Sequence, residues 1–292
     1  LVMDCHQNIS VSKNITKDTC RQIFNFTENY RRDYPGEWGI FRQQLYWLRH
    51  YPLGKIFRLG RFEYKLEQKV LSICVFRHLV NGQVLALAQD NLNFDQVGFL
   101  KVETDSAGFT SILKEDGAQV SGYYISQKKG SASSEPITLA LKEWEKVLGV
   151  GDWVLDLHIP SGGGMSMDLC AVSFKQAFEF FDQHFPDRHA KAIVCHSWMF
   201  NPALEKILPA TSNLVQLLDE VYLYPWSKNR RDGFFFIFGL KGETAEISEL
   251  PKETSLQRAI LDYISQGNLW HGGGMFLLRE DVLRISKKWL VF

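Results

Sequence analysis

The 292-residue chain lacks any pair of cysteines at metal or redox spacing: Cys5, Cys20, Cys74, Cys170 and Cys195 are odd in number and widely scattered. That excludes a zinc knuckle or a C-x-x-C centre and reads as free thiols in a reducing compartment. No apolar run approaches the roughly 18 residues needed to span a bilayer, and no charged-then-apolar leader opens the sequence. The expectation is a cytoplasmic protein without a membrane partner. Lysine plus arginine and aspartate plus glutamate balance at 33 each, and no basic run reaches the length of a nucleic-acid footprint, so no nucleic-acid partner is expected. His184, His189 and His196 lie five and seven apart, which fits no zinc pattern, so no metal is expected either. There is no G-x-x-x-x-G-K-[ST] loop and no G-x-G-x-x-G fingerprint. G-x-S-x-G is absent too, which leaves "HGGG" at 271–274 without the nucleophile elbow that esterases place after it.

What is present is a hydrophobic content of 45%, enough for one large core or two moderate ones. Thr16–Arg32 and Glu37–His50 have helical apolar spacing and are separated by Pro35–Gly36. After Pro52 the texture turns to strands: "FRLGRFEYKL", "KVLSICVFRHL" and "QVLALAQ", with Asn81–Gly82 as a hairpin signal between the last two. A loop at 128–136 and a helix from Pro136 to Leu148 lead to a boundary near 150, giving domains 1–150 and 151–292. In the second half "WVLDLHI" is read as a strand, Met167–His184 as a helix and "KAIVCHSW" as a strand, which implies a parallel crossover. A short helix over Pro202–Leu208 follows. "NLVQLLDEVYLY" and "GFFFIFG" are read as an antiparallel strand pair, "SLQRAILDYISQG" as a helix and "GMFLLR" as a closing strand. The fold class is α/β (α+β), a sheet of mixed direction preceded by N-terminal helices.

The chemistry concentrates at "DLHIPSGGGMSMD", residues 156–168. Consecutive glycines remove every Cβ, and a following helix N-terminus presents free amides with partial positive charge, together an anion site; the bland alternative is a tight turn. Ser166 is placed as the N-cap of a helix that buries Cys170, Phe174, Ala177, Phe178 and Phe181 along one stripe. Gly162-x-Gly164 at a strand-to-helix junction resembles the loop that GNAT-type acyltransferases use for coenzyme A pyrophosphate. On the strand 153–159, Asp156 and His158 share a face, and His196 stands at the equivalent exit of its strand, so parallel pairing would bring the histidines together. Either is a candidate general base, or a structural histidine bonded to a loop carbonyl. Glu220 and Tyr222 are candidates for base and acid on one face of a strand 213–224, or a solvated face. Trp198 and the "FFFIF" run read as core.

The words "HIPSGGGM" (158–165), "SFKQAFEFF" (173–181), "CHSWMFNP" (195–202), "SNLV" (212–215) and "TSLQRAILDY" (254–263), with "FRLGRFEYKL" at 57–66, carry a resemblance to a known family. The chain resembles a bacterial family of acyltransferase-domain proteins, a GNAT-like N-terminal domain followed by a GNAT-like C-terminal domain. The resemblance implies a mostly antiparallel sheet with one parallel strand-helix-strand crossover. It implies transfer of an acyl group to an amine or hydroxyl of a small-molecule acceptor, with acetyl-CoA or another acyl-CoA as co-substrate. Coenzyme A would then lie along Ile159, Ser161, Gly162, Gly163, Gly164, Met165 and Ser166, with Asn201 nearby. Two departures stand out: Ile159 occupies the position where a Gln or Arg normally opens the loop, and "NPALEKIL" lacks the tyrosine many such enzymes use as acid. They leave open a second reading, a non-catalytic fold relative that binds a small ligand or a protein partner.

Overall fold

The computed structural model describes residues 1–102 and 108–290, and the chain divides into two compact units, each discontinuous in sequence. The first comprises Leu1–Glu67, Trp153–Val194 and Leu278–Phe292; the second comprises Gln68–Asp152 and Cys195–Leu277.

The first unit opens with helices Val2–Asn8, Lys13–Cys20, Gln22–Asp33 and Arg42–Leu48. The single helix expected over Thr16–Arg32 is therefore two. Thr19 supplies the reason: its hydroxyl donates back to the Ile15 carbonyl at 2.7 Å and accepts the Arg58 amide at 3.0 Å, a pairing that bends a helix and ties it to the next element. The helix expected from Glu37 starts only at Arg42, because residues around Gly39 lie against the Tyr30 ring, where a Cβ would sit 2.7 Å from ring carbons.

Strands Phe57–Leu59 and Phe62–Gln68 form a hairpin through the two-residue turn Gly60–Arg61, with Gly60 at a φ of 65°. Next in the sheet come Trp153–His158 and Ala192–Ser197, paired in parallel with Val154 opposite Ala192 and Asp156 opposite Val194. The helix Met167–His184 connects them, which is the crossover the sequence predicts, and buries Met167, Cys170, Ala171, Phe174, Ala177, Phe178 and Phe181 at three-and-four spacing. Phe62 stacks on Phe174 at 5.6 Å, and Phe57 meets Phe180 at 4.8 Å. The C-terminal helix Arg279–Trp289 packs on the same helix; Arg279 pairs with Asp182 and lies over the Phe178 ring. The sequence reading ended on a strand and missed this helix, although Glu280 and Asp281 in its first turn and Lys287 and Lys288 in its last complement the helix dipole.

In the second unit an antiparallel sheet runs Trp144–Leu148, Ile73–His78, Val84–Ala88, Gln119–Ser126, Lys114–Glu115, with Ser131–Ala140 also paired to Gln119–Ser126. The Asn81–Gly82 hairpin forms as expected. The helix expected over Pro136–Leu148 is instead strand. Ile137, Thr138 and Leu139 follow the two-residue strand period, and Pro136 sits opposite Tyr123, next to a register shift. The supposed strand 213–224 is the helix Asn213–Glu220, capped by the Ser212 hydroxyl accepting Val215 N–H, followed by the short strand Tyr222–Pro225. "GFFFIFG" is likewise a short helix, Phe234–Phe238. Tyr222–Pro225 pairs antiparallel with the strand Gly273–Leu278. Trp198 is core, as expected, but of the phenylalanines only Phe234 and Phe238 are buried and Phe236 is exposed. None of the five cysteines is in a disulfide, and no helix among the described residues is long and apolar enough to cross a membrane.

The fully buried Ser173 hydroxyl has three partners on the hairpin: it donates to the Leu59 carbonyl, accepts Phe62 N–H at 3.2 Å and meets Tyr64 Oη at 2.9 Å. Ser173→Ala removes one hydroxyl and takes a hydrogen-bond partner from three buried groups, the Leu59 carbonyl, the Phe62 amide and the Tyr64 hydroxyl, so it should lower stability by about 2–4 kcal/mol. Urea unfolding of the variant beside the native chain measures the loss.

Candidate functional site

The strand Trp153–His158 ends in the segment Ile159–Ser166. Ser161 and the three glycines are exposed, and Gly162 and Gly163 take φ values of 76° and 73°. A Cβ added at Gly162 or Gly164 would meet nothing within 4 Å. Pro160 and Met165 anchor the two ends in the interior while the glycines stay bare. Ser166 is the N-cap of Met167–His184, but its hydroxyl bonds the exposed Asp168 carboxylate, lowering that group's pKa, and makes no capping bond to the backbone. The glycine loop thus lies open at the mouth of an 18-residue helix.

Arg61, from the tip of the 57–68 hairpin, reaches this loop: its Nε donates to the Gly164 carbonyl at 2.8 Å. Burial, and then the neighbouring Arg58, lower the Arg61 pKa. Arg61 escaped the sequence reading because a Gly-Arg pair inside a strand-rich run carries only a turn signal.

Asp156 and His158 share a face as expected, with Oδ2 and Nε2 3.2 Å apart. Asp156 is buried, and the His158 ring meets Trp47 edge-on at 4.3 Å. Beside them lies a second carboxylate that the sequence reading missed. Glu63 is 1% exposed, its Oε2 accepts the Tyr51 hydroxyl at 2.8 Å, and its Oε1 is buried without a hydrogen bond. Burial pushes the Glu63 pKa up to about 6, against opposing effects from the Tyr51 hydrogen bond, Arg58 and His158. Burial and the Glu63 charge raise that of Tyr51, and burial lowers that of His50, which stacks edge-on with Trp47. Two strands therefore carry the Asp156–His158 pair and, close to His158, the Glu63 carboxyl, whose raised pKa of about 6 lets it exchange a proton near neutral pH. In "RFEYKL" Glu63 looks like the solvent-facing partner of Phe62 and Tyr64; it is inward because both faces of this strand are covered.

His196 belongs to the second unit and has its own surroundings. Its Nε2 is 2.6 Å from Tyr224 Oη, and its ring stacks on Trp226 at 3.6 Å. The tyrosine that meets His196 is Tyr224, two positions beyond Tyr222, which the sequence pairs with Glu220. Tyr222 stacks on Phe276, and Glu220 closes the preceding helix, so the two do not share a strand face. Asn201 is buried and its Oδ1 accepts Ala203 N–H, a local turn bond. Ser197 accepts Met199 N–H as the cap of a short helical turn.

This mixed sheet with one parallel strand-helix-strand crossover is similar in fold to known structures. Its solved neighbours are acyltransferases crystallised with decanoyl-CoA and teicoplanin (TM-score 0.61, 20% identity) and with CoA and 10C-teicoplanin (TM-score 0.60, 20% identity). Each alignment covers 95% of this chain and 62% of the neighbour, so the chain spans less than two thirds of their length. No curated protein matches in sequence. The chain belongs to the family described as the GNAT-like C-terminal domain, whose model matches residues 56–277.

A group protonated more readily folded than unfolded contributes stability at low pH that is lost as pH rises. Raising Glu63 from 4.5 to about 6 therefore withdraws about 2 kcal/mol as pH climbs through that interval and above it. Glu63→Gln should flatten this part of the stability profile, measured by denaturant unfolding from pH 4 to pH 8. An unchanged slope would show that Glu63 does not titrate there.

Proposed function

We propose that the protein is an acyl-CoA-dependent acyltransferase that moves an acyl group from the thioester to an amine or hydroxyl of a small-molecule acceptor. The carrying observation is the glycine loop, whose open backbone faces solvent at the start of the Met167–His184 helix. In this reading the amides of Gly162, Gly163 and Gly164 bind the coenzyme's pyrophosphate, with Ile159, Ser161, Met165 and Ser166 lining its path. His158, held beside Asp156, takes the proton from the acceptor as its nitrogen or oxygen attacks the thioester carbonyl. The carbon–sulfur bond then breaks, and the departing thiolate is protonated. His196 with Tyr224 is the second pair able to handle a proton. The neighbours' decanoyl-CoA supports including longer acyl chains beside acetyl-CoA among the donors.

Calorimetric titration with CoA, acetyl-CoA and decanoyl-CoA tests the cofactor. Gly163→Val is a poor probe, because a β-branched residue at a φ of 73° strains the loop by about 1–3 kcal/mol whatever binds there. Gly164→Ala avoids this: its Cβ enters open space, so stability should stay within about 0.5 kcal/mol while coenzyme affinity falls about tenfold. Equal affinity in this variant removes the loop from the site, and no heat from any donor moves the protein to the non-catalytic class.

Once an acceptor is found, His158→Gln should lower kcat by about 10²–10⁴-fold with coenzyme affinity retained. His196→Gln should cost far less. The reverse order would assign the base to His196.

A further inference from the structure

We propose that Arg61 is the cation of a diphosphate site on the glycine loop, delivered to it by the tip of the 57–68 hairpin. The ligand's identity as coenzyme A rests on the acyl-CoA reading above; the anion site does not.

Arg61 is 8% exposed, and its Nη1 is buried without a hydrogen-bond partner. Its Nε is held by the Gly164 carbonyl, and Nε and Cδ lie 3.8 and 3.9 Å from where a Gly163 Cβ would stand, so the guanidinium lies against the glycines. The charge acting on it most strongly is that of Arg58, which repels it; the opposing influence is the Cys170 thiol. No carboxylate pairs with Arg61 among the described residues. Burial pushes Cys170 itself up to about 12, so it stays neutral at physiological pH.

A buried guanidinium without a counter-ion is costly unless an anion completes it. The adjoining features select the anion. A helix N-terminus favours negative charge, bare glycines let phosphate oxygens approach backbone amides, and the planar fork of arginine matches two phosphate oxygens at once. The hairpin tip is fixed to the helix behind the loop: a Cβ at Gly60 would contact Ser173 at 3.3 Å, and Ser173 bonds both strands. The guanidinium is thereby placed before any ligand arrives.

The experiment compares the native chain with Arg61→Met and Arg61→Lys in binding CoA, acetyl-pantetheine (which has no phosphate) and inorganic pyrophosphate. Loss of a charge-assisted contact should weaken CoA by about 10- to 100-fold in Arg61→Met and leave acetyl-pantetheine unchanged. CoA bound equally by the native chain and the Met variant overturns the role of Arg61 and leaves the acyl-CoA reading standing. Pyrophosphate bound by the native chain, lost in the variant and unaccompanied by CoA binding supports the anion site and overturns the coenzyme. Binding of neither by the native chain overturns both. If Arg61→Met melts early by circular dichroism, Arg61→Lys decides: it keeps the charge and loses the fork, so a CoA affinity reduced by about threefold or more supports the role, and an equal affinity overturns it.

Discussion

The hydroxyl of Ser173 is the fixed point of the first unit. It sits nearly two turns past the start of an 18-residue helix and joins that helix to both strands of the hairpin. Hydrophobic burial alone, Phe62 on Phe174 and Phe57 on Phe180, would hold helix and hairpin together without fixing their register. A fully buried hydroxyl does fix it, because sliding the hairpin by one residue breaks its bonds and strands polar groups where no water reaches. The register matters because the same hairpin carries Arg61 at its tip and Glu63 on its second strand.

Both residues are ionisable, buried and incompletely partnered, and Asp156 is buried on the strand beside them. A core selected only for stability would hold apolar side chains here, since each buried charge costs desolvation that its neighbours repay in part. Hydrophobic material to meet that cost is at hand in the phenylalanine-rich stripe of the helix. Groups of this kind gathered at the open end of a strand-loop-helix unit are what proton transfer and anion binding require.

The crossover was legible because each of its parts has its own strong signal: a short apolar run, a stripe at helical spacing starting after Ser166, and a second apolar run. The faces of Asp156 and His158 followed from strand alternation alone. The stretch 213–224 was misread because Leu214, Val215, Leu217 and Leu218 are apolar and β-compatible; the deciding residue was the Ser212 cap ahead of them. Pro136–Leu148 was misread in the opposite sense, since an opening proline and Leu-Lys-Glu composition look helical while cross-strand pairing, including the Ser121–Thr138 hydroxyl contact, decides the outcome. Arg61, Glu63, Tyr51 and Tyr224 share one reason for escaping notice. Their significance lies in contacts between segments distant in sequence, and local pattern carries none of it.

The sequence contains three consecutive glycines twice, at 162–164 and at 272–274, and the two runs show why a motif acquires meaning only through its surroundings. At 272–274 added Cβ atoms would fall 1.8 Å from Asp232 Oδ2, 1.9 Å from the Phe200 carbonyl oxygen and 2.6 Å from the Tyr224 ring. Those glycines are small because protein already fills the space, and no oxyanion could enter there. At 162–164 the same substitution meets open space at two positions and only the side of Arg61 at the third. Crowding explains the absence of side chains at 272–274; at 162–164 it explains nothing, and the φ values account for Gly162 and Gly163 but leave Gly164 free to be almost any residue. A bare backbone at Gly164, with a buried arginine bonded to its carbonyl, is accounted for when the space above it is kept for something that binds.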